Sequence, residues 1–440
     1  MQTPAAWETL KQFRLAAYRT LGHRKDSLFE LMEAVLAASG PATIVRLSLA
    51  AVFRRGWSSA PDALADGEVD ADRCRELVQT TAIEARAGER PVWALDGTVW
   101  PRPSARTSPE RTYGHRTSAG MPQDGVVPAW EYEWLVDVPA PGTGWVLPLD
   151  VRRRGPSEGT PTAVAIGMLR EALARRPADA ARPVAALDSG YDPVQVARAE
   201  LPLDVLVRLR SNRVFYGAPG PYQGRGAPRK YGEVFRLADP ATHQTPDAST
   251  TLADPQCGRV QIDAWRDLRV KGAADAPFTI VRVHLERLPR RATPPAPLWL
   301  AWIGGELPAD LGDLWRTYIL RFTVEHGFRF LKQALGWTTV RPRDPKAADR
   351  WTWLLALALW QLWLARSLVA DQRLPWERPL PTTQLTPGRV RRAFSGLFAQ
   401  LGTPARPPKP RGKAPGRRPG HAPGPRSRHP VARRRPKRAA

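Results

Sequence analysis

A carboxylate flanked by a phenol and two cations lies in one proline-free stretch, residues 311–337, LGDLWRTYILRFTVEHGFRFLKQALGW. Tyr318, Arg321, Glu325 and Lys332 are separated there by two, three and six residues. On a helix turning about 100° per residue, these four fall within roughly 60° of one another. The spacing predicts one helix with a phenol, a guanidinium, a carboxylate and an ammonium on a single face. Ile319, Leu320, Phe322, Val324, Phe328, Leu331 and Leu335 are then left for burial. A carboxylate with a cation one turn before it and another two turns after it suits a metal ion beside a phosphodiester. The spacing equally suits a solvated surface pair, since Arg321 and Glu325 are i,i+4 partners.

Two further acids stand in a repeated pattern. Val92–Leu95 is an apolar run of strand length that meets Asp96 and Gly97, and the run PVAAL ends on Asp188, Ser189 and Gly190. A carboxylate ending a buried strand is costly unless it is solvated, paired or metal-bound. Small neighbours let backbone, metal and substrate approach closely; a cap or turn aspartate would read the same way. Phosphodiesters are cleaved by in-line attack assisted by two divalent ions about 3.5–4 Å apart, and magnesium prefers carboxylate oxygens. Asp96, Asp188 and Glu325 are therefore the expected catalytic metal ligands. The seven histidines are scattered without ligand spacing, and no phosphate-binding glycine loop is present.

The elements that must position these acids follow in order. Residues 1–88 read as a helical N-terminal domain, with Arg14, Arg19, Arg24, Lys25, Arg46, Arg54 and Arg55 either contacting DNA or merely forming a solvated face. Residues 89–210 read as strand, two hairpin strands, helix, strand, helix, strand, and hold both aspartates. The polar loop 101–127 carries Arg102, Arg106, Arg111, His115 and Arg116. Residues 211–304 read as a β-rich insertion, and 305–402 as the acid-bearing helix followed by C-terminal helices. The fold class is mixed α/β. From Thr403 on, 13 Lys or Arg, ten prolines and no acid predict a disordered basic tail, 403–440.

Tyr318, Arg321, Glu325 and Lys332, with Asp96 and Asp188 upstream, resemble the Y-x2-R-x3-E-x6-K signature of DDE transposases from bacterial insertion sequences. The resemblance implies an RNase H-like core interrupted by the β-rich insertion. It implies that Asp96, Asp188 and Glu325 hold two Mg2+ or Mn2+ ions, and that Tyr318, Arg321 and Lys332 bind the phosphate backbone. It further implies a transposase that binds terminal inverted repeats, cleaves them and transfers 3′-OH ends to target DNA, acting as a homodimer on double-stranded DNA. Within the insertion, Tyr222, Tyr231 or Trp265 would be candidates to stack on an unpaired base. A repurposed or decayed DNA-binding protein without catalysis is the alternative.

Composition agrees with a polyanionic partner. The net charge is +24, of which the tail supplies 13 positive charges. Cys74 and Cys257 are too few for a disulfide framework or a zinc knuckle, which fits a reducing cytoplasm, and the transposase resemblance implies a nucleoid-associated bacterial protein. Residues 351–369 are strongly apolar but include Gln361 and Arg366, and read as a buried helix without a membrane role. The Lys332 assignment is tested by Lys332→Ala, expected to weaken both end-DNA binding and strand transfer in gel-shift and joining assays.

Overall fold

The structure, a computed structural model, describes residues 4–40, 43–86, 88–116, 125–139, 142–222, 224, 227–289, 295–410, 420 and 424–433. Loop residues 117–124, the Arg116 side chain and tail residues 411–419, 421–423 and 434–440, on which some expectations fall, lie outside the described residues.

Helices come first: α1 (Pro4–Arg19), α2 (Lys25–Ala37), α3 (Ile44–Ser48), α4 (Ser59–Asp66) and α5 (Ala71–Ala85). The apolar stretch over 42–56 yields only the short α3, and α4 was not anticipated. Several arginines expected as DNA contacts are used internally. Arg14 is buried, pairs with Glu33 and donates to Gln361 Oε1 (2.7 Å) and Gly402 O (2.9 Å). Arg54 and Arg55 both pair with the buried Glu30 (2.7 and 3.3 Å). These charges fasten the N-terminal helices together and to the far end of the chain.

The central elements are β1 (Val92–Pro101), β2 (Thr112–Arg116), β3 (Gly125–Asp137), β4 (Leu147–Arg154), α6 (Pro161–Ala174), β5 (Val184–Leu187), α7 (Pro193–Arg198) and β6 (Asp204–Leu209). β3 pairs antiparallel with β4 and with β1, whereas β1–β5 and β5–β6 are parallel. All four residues of β5 are buried, as a parallel strand covered on both faces requires. Caps set the helix starts: Thr160 accepts from Ala163 N (3.2 Å) before α6, and Asp192 from Val194 N (2.9 Å) before α7.

The insertion adds β7 (Val214–Tyr216), β8 (Val234–Arg236), β9 (Ala248–Asp254), β10 (Gly258–Val270), β11 (Ala273–Leu285) and β12 (Leu298–Ile303). These strands continue the central sheet. β12 pairs antiparallel with β6 from Trp299↔Leu209 to Ile303↔Val205, and β11 and β10 follow, giving a 12-stranded mixed sheet. An edge strand with unpaired backbone groups is thereby covered. The result is a mixed α/β architecture compatible with an RNase H-like core.

The 311–337 stretch is not one regular helix. α8 (Gly312–Arg321) ends in a tight turn at Phe322, α9 (Thr323–Arg329) follows, and Phe330–Ala334 is a π-helical turn. The break has a physical cause. Leu311, Leu314, Trp315 and Tyr318 pack into a cluster with Val260, Val283 and Leu300 of the inserted strands. Val324, Phe328, Leu331 and Leu335 pack into a different cluster with Trp134, Trp337 and Val146. At about 100° per residue these two apolar stripes point roughly 120° apart, so one straight helix could not bury both.

After it come α10 (Pro345–Ala365), α11 (Pro387–Phe394) and α12 (Phe398–Leu401). Helix α10 ends at Ala365, short of the apolar run to Val369, and is buried almost all round, including Trp351, Trp353, Trp360 and Trp363. It packs on α1, α2 and β4. Its indoles find acceptors, Trp360 Nε1 on Pro148 O (2.8 Å) and Trp351 Nε1 on Trp337 O (3.1 Å). Among the described residues no helix is long and apolar enough to cross a membrane. The described tail pieces, 403–410 and 424–433, form no helix or strand, yet they lie against the body: Arg406 N donates to Asp26 Oδ1 (3.0 Å) and His429 N to Arg106 O (2.8 Å). These two pieces depart from the disorder expected of the whole tail, because backbone groups can dock where no apolar pattern announces it.

Gly327 is explained by α9 lying tightly against the β4 approach. A Cβ there would meet Val146 Cγ2 at 2.0 Å. Gly327→Ala should therefore destabilise the fold by about 1–3 kcal/mol, despite the better helix propensity of alanine. Adding Val146→Ala should restore part of that loss in denaturant titrations.

Candidate active site

Strand register builds the site. The parallel pairing of β1 with β5 runs from Val92↔Val184 to Leu95↔Leu187. Asp96 and Asp188 are the next residues on each strand, so their backbones lie side by side at about the 4.8 Å spacing of neighbouring strands. Asp188 follows the end of β5, as expected. Asp96 does not end its strand: β1 continues to Pro101, held by β3 through Asp96↔Trp134 and Gly97↔Glu133. The antiparallel partner keeps β1 extended after its parallel partner has turned away. Asp188 Oδ1 accepts from Gly190 N (2.7 Å), which fixes the turn that follows.

Arg321 closes over these acids. It is 5 % exposed and its Nη1 lies 3.1 Å from Asp96 Oδ2. Burial pushes the Asp96 carboxyl up to about 6; Arg321 opposes this, while Asp188 and Glu325 reinforce it. Glu325 thus lies within electrostatic reach of Asp96, although it is exposed on α9. Burial would lower the Arg321 guanidinium, but Asp96, Tyr318 and Asp188 outweigh it and hold the group above its ordinary value.

The predicted tetrad is drawn to one region without sharing a helix face. Tyr318 is fully buried beside the Arg321 guanidinium, whose central carbon lies 5.9 Å from the centre of its ring. Burial raises the Tyr318 phenol, opposed by Arg321 and by the exposed Arg208 of β6. Lys332, carried on the π-helical turn, donates to Thr98 Oγ1 (2.6 Å), two residues along β1 from Asp96. The helix break turns Glu325 outward relative to Arg321, and the π turn brings Lys332 back to the strand.

Tyr222 is exposed, whereas Trp265 is buried against Phe235, His243 and Trp299, and its indole donates to Gln244 O (2.7 Å). Tyr231 stacks near Tyr216 and accepts from Gly272 N (2.7 Å).

Sequence reasoning missed Glu133, Tyr191 and Thr98. Glu133 is buried opposite Gly97, where a Cβ would meet its Oε2 at 3.1 Å. Tyr191 hydroxyl donates to that oxygen (2.8 Å), and Arg154 Nε lies 3.5 Å from Oε1. Burial drives Glu133 up to about 7, against the pull of Tyr191 and Arg154. The one local signal was the acid pair Glu131 and Glu133 at strand alternation inside an otherwise apolar run.

Among the described residues no three His, Cys, Asp or Glu side chains are already arranged to hold a metal ion. The donor chemistry nevertheless fits a hard divalent cation. Asp96, Asp188 and Glu325 offer carboxylate oxygens, and Asp96 already needs a positive partner, now supplied by Arg321.

Glu133 gives a pH prediction. Its folded-state value lies above the ordinary 4.5, so the folded chain holds the proton more tightly and this group's contribution to stability falls as pH rises from about 4.5 to about 7. Glu133→Gln removes that titration. Urea unfolding at pH 5 and pH 8 should show a smaller loss of stability with rising pH in the variant than in the wild-type chain.

A comparison of the sequence with known families matches residues 17–271 to the family described as DDE superfamily endonuclease. The match includes Asp96 and Asp188 and ends before Glu325. No curated protein matches the chain. With more than half of its 440 residues fitting that family, and with two aspartates level on neighbouring strands of a mixed sheet, the chain belongs to the DDE superfamily endonucleases.

Proposed function

We propose that the chain is a DNA transposase that binds the terminal inverted repeats of its element, cleaves at their ends and transfers the 3′-OH ends to target DNA. The observation that carries this reading is the convergence of Asp96, Asp188, Arg321 and the field of Glu325 at the end of the β1–β5 pairing. Asp96, Asp188 and Glu325 would hold two Mg2+ or Mn2+ ions. When bound, such ions supply activation of the attacking oxygen and stabilisation of the leaving one.

The chain's own residues do the positioning. Arg321 exchanges Asp96 for a DNA phosphate, which a guanidinium can grip with two parallel hydrogen bonds. Tyr318, buried beside Arg321, donates toward the same phosphate. Lys332 is anchored at Thr98, about 7 Å along β1 from Asp96, and so meets a neighbouring phosphate. Joining two ends requires two sites in one complex, hence a homodimer on DNA.

Metal-dependent cleavage of DNA carrying the terminal repeats tests the reading. The wild-type chain should cut at the repeat boundary with magnesium or manganese. Asp96→Ala, Asp188→Ala and Glu325→Ala should each bind the ends yet lose more than about 3 kcal/mol of transition-state stabilisation, a hundredfold or more in rate. Variants that cut like wild type would remove the proposed site. Binding without cutting by the wild-type chain would favour the repurposed DNA-binding protein instead.

A further inference from the structure

Three basic segments meet where β1 leaves the sheet. Arg102, one residue past β1, is buried, stands over the Trp130 ring (4.8 Å) and donates to Ser108 Oγ (2.9 Å) and to Pro342 O. Arg111 is also buried and donates to Ser108 O (3.0 Å), Arg102 O (3.3 Å) and His429 O (2.7 Å). Two backbone bonds complete the docking of the tail: His429 N to Arg106 O and Ala432 N to Arg111 O, both 2.8 Å. Two guanidiniums therefore pin together the loop 102–111, the link 338–343 and the tail segment 424–433, and the acceptors of these bonds are all neutral.

The acids nearby are engaged elsewhere. Glu110 pairs with Arg153 (2.8 Å), and Asp344 caps α10 by accepting from Lys346 N (2.7 Å). Burial, and then Arg341 and Arg111, push Arg102 down to about 10; burial and Arg106 lower Arg111 as well. Around this junction Arg106, Arg341, Arg343, Arg426 and Arg428 are exposed, and a cleft between tail and core is lined by Arg343 and Arg426 together with Asp344. Cations gathered in this way repel one another, whereas each neutral hydrogen bond contributes only about 0.5–1.5 kcal/mol. A polyanion lying across all three segments would reverse the balance.

We propose that this junction is a phosphate-binding saddle for duplex DNA, in which tail residues 424–433 form a seated wall. The proposal rests on reading the chain as a DNA endonuclease. Arg102 lies six residues beyond Asp96 along the chain, a span of about 20 Å or roughly six base steps of duplex. DNA positioned at Asp96 therefore reaches the saddle within one turn of duplex.

Ala432→Pro in the full chain tests this, because it removes one of the two backbone N–H groups that seat the tail and leaves every charge in place. Binding to a 40-base-pair duplex is measured by fluorescence anisotropy across a salt series, with Ala432→Gly as the control that keeps the N–H. Ala432→Pro should lose about tenfold in affinity, and its log affinity should fall less steeply with log salt by about 2, as for two lost phosphate contacts. Ala432→Gly should match wild type. Equal affinity and slope in Ala432→Pro, or an equal loss in Ala432→Gly, would overturn the saddle while the endonuclease reading stands. Failure of the wild-type chain to bind any duplex would overturn both.

Discussion

The parallel pairing of β1 with β5 stops at Leu95 and Leu187, and the site is a consequence of that register. It sets two aspartates level on adjacent strands, partly out of water, where their like charges raise the cost of ionising both. A cation is then needed, and Arg321 provides it from across the sheet. Arg321 can reach Asp96 because α8 lies on the inserted strands, and those strands lie where they do because β12 extends the sheet from β6. Lys332 reaches the same strand because the chain then breaks and anchors α9 on a second cluster around Trp134 and Trp337. The insertion is thus part of the scaffold of the site as well as an addition to the fold.

The energetics of the Arg321–Asp96 pair fit a replaceable contact. Removing one partner of a buried pair leaves the other charge uncompensated, at about 3–5 kcal/mol, so neither residue is indifferent to what faces it. Exchange is a different matter: under the proposed function, a divalent ion at Asp96 and a phosphate at Arg321 would satisfy both charges at once. The nearby groups Glu133 and Tyr191 hold the surrounding backbone and side chains in place. Glu133 and Tyr191 join the turn after Asp188 to β3, beside Gly97.

The side-by-side placement of Asp96 and Asp188 was legible because its signals are local. An apolar run of strand length followed by aspartate and small residues marks Asp96 and Asp188 without knowledge of the rest of the chain. The tetrad spacing is local too, but the single helix drawn through it was not obtained. The stripe of Leu311, Leu314, Trp315 and Tyr318 and that of Val324, Phe328, Leu331 and Leu335 differ in direction, and that difference carried the break. Glu133 was hidden because its role depends on which residue lies opposite it on β1, and Gly97 is known as its partner only once the register is fixed. Arg14 read as a surface cation because its partner Gln361 lies on the distant helix α10. The seated tail was illegible for another reason: backbone N–H groups hold it, and every residue type but proline has one.

Divalent-ion binding to the DNA-free chain, read by the electron paramagnetic resonance of Mn2+, tests most directly whether Asp96 and Asp188 form a cation site that Arg321 guards. Arg321→Gln should bind Mn2+ at least about tenfold more tightly than wild type, equivalent to roughly 1.4 kcal/mol, and adding Asp188→Asn should abolish the gain. Equal Mn2+ affinity in wild type and Arg321→Gln would contradict the account.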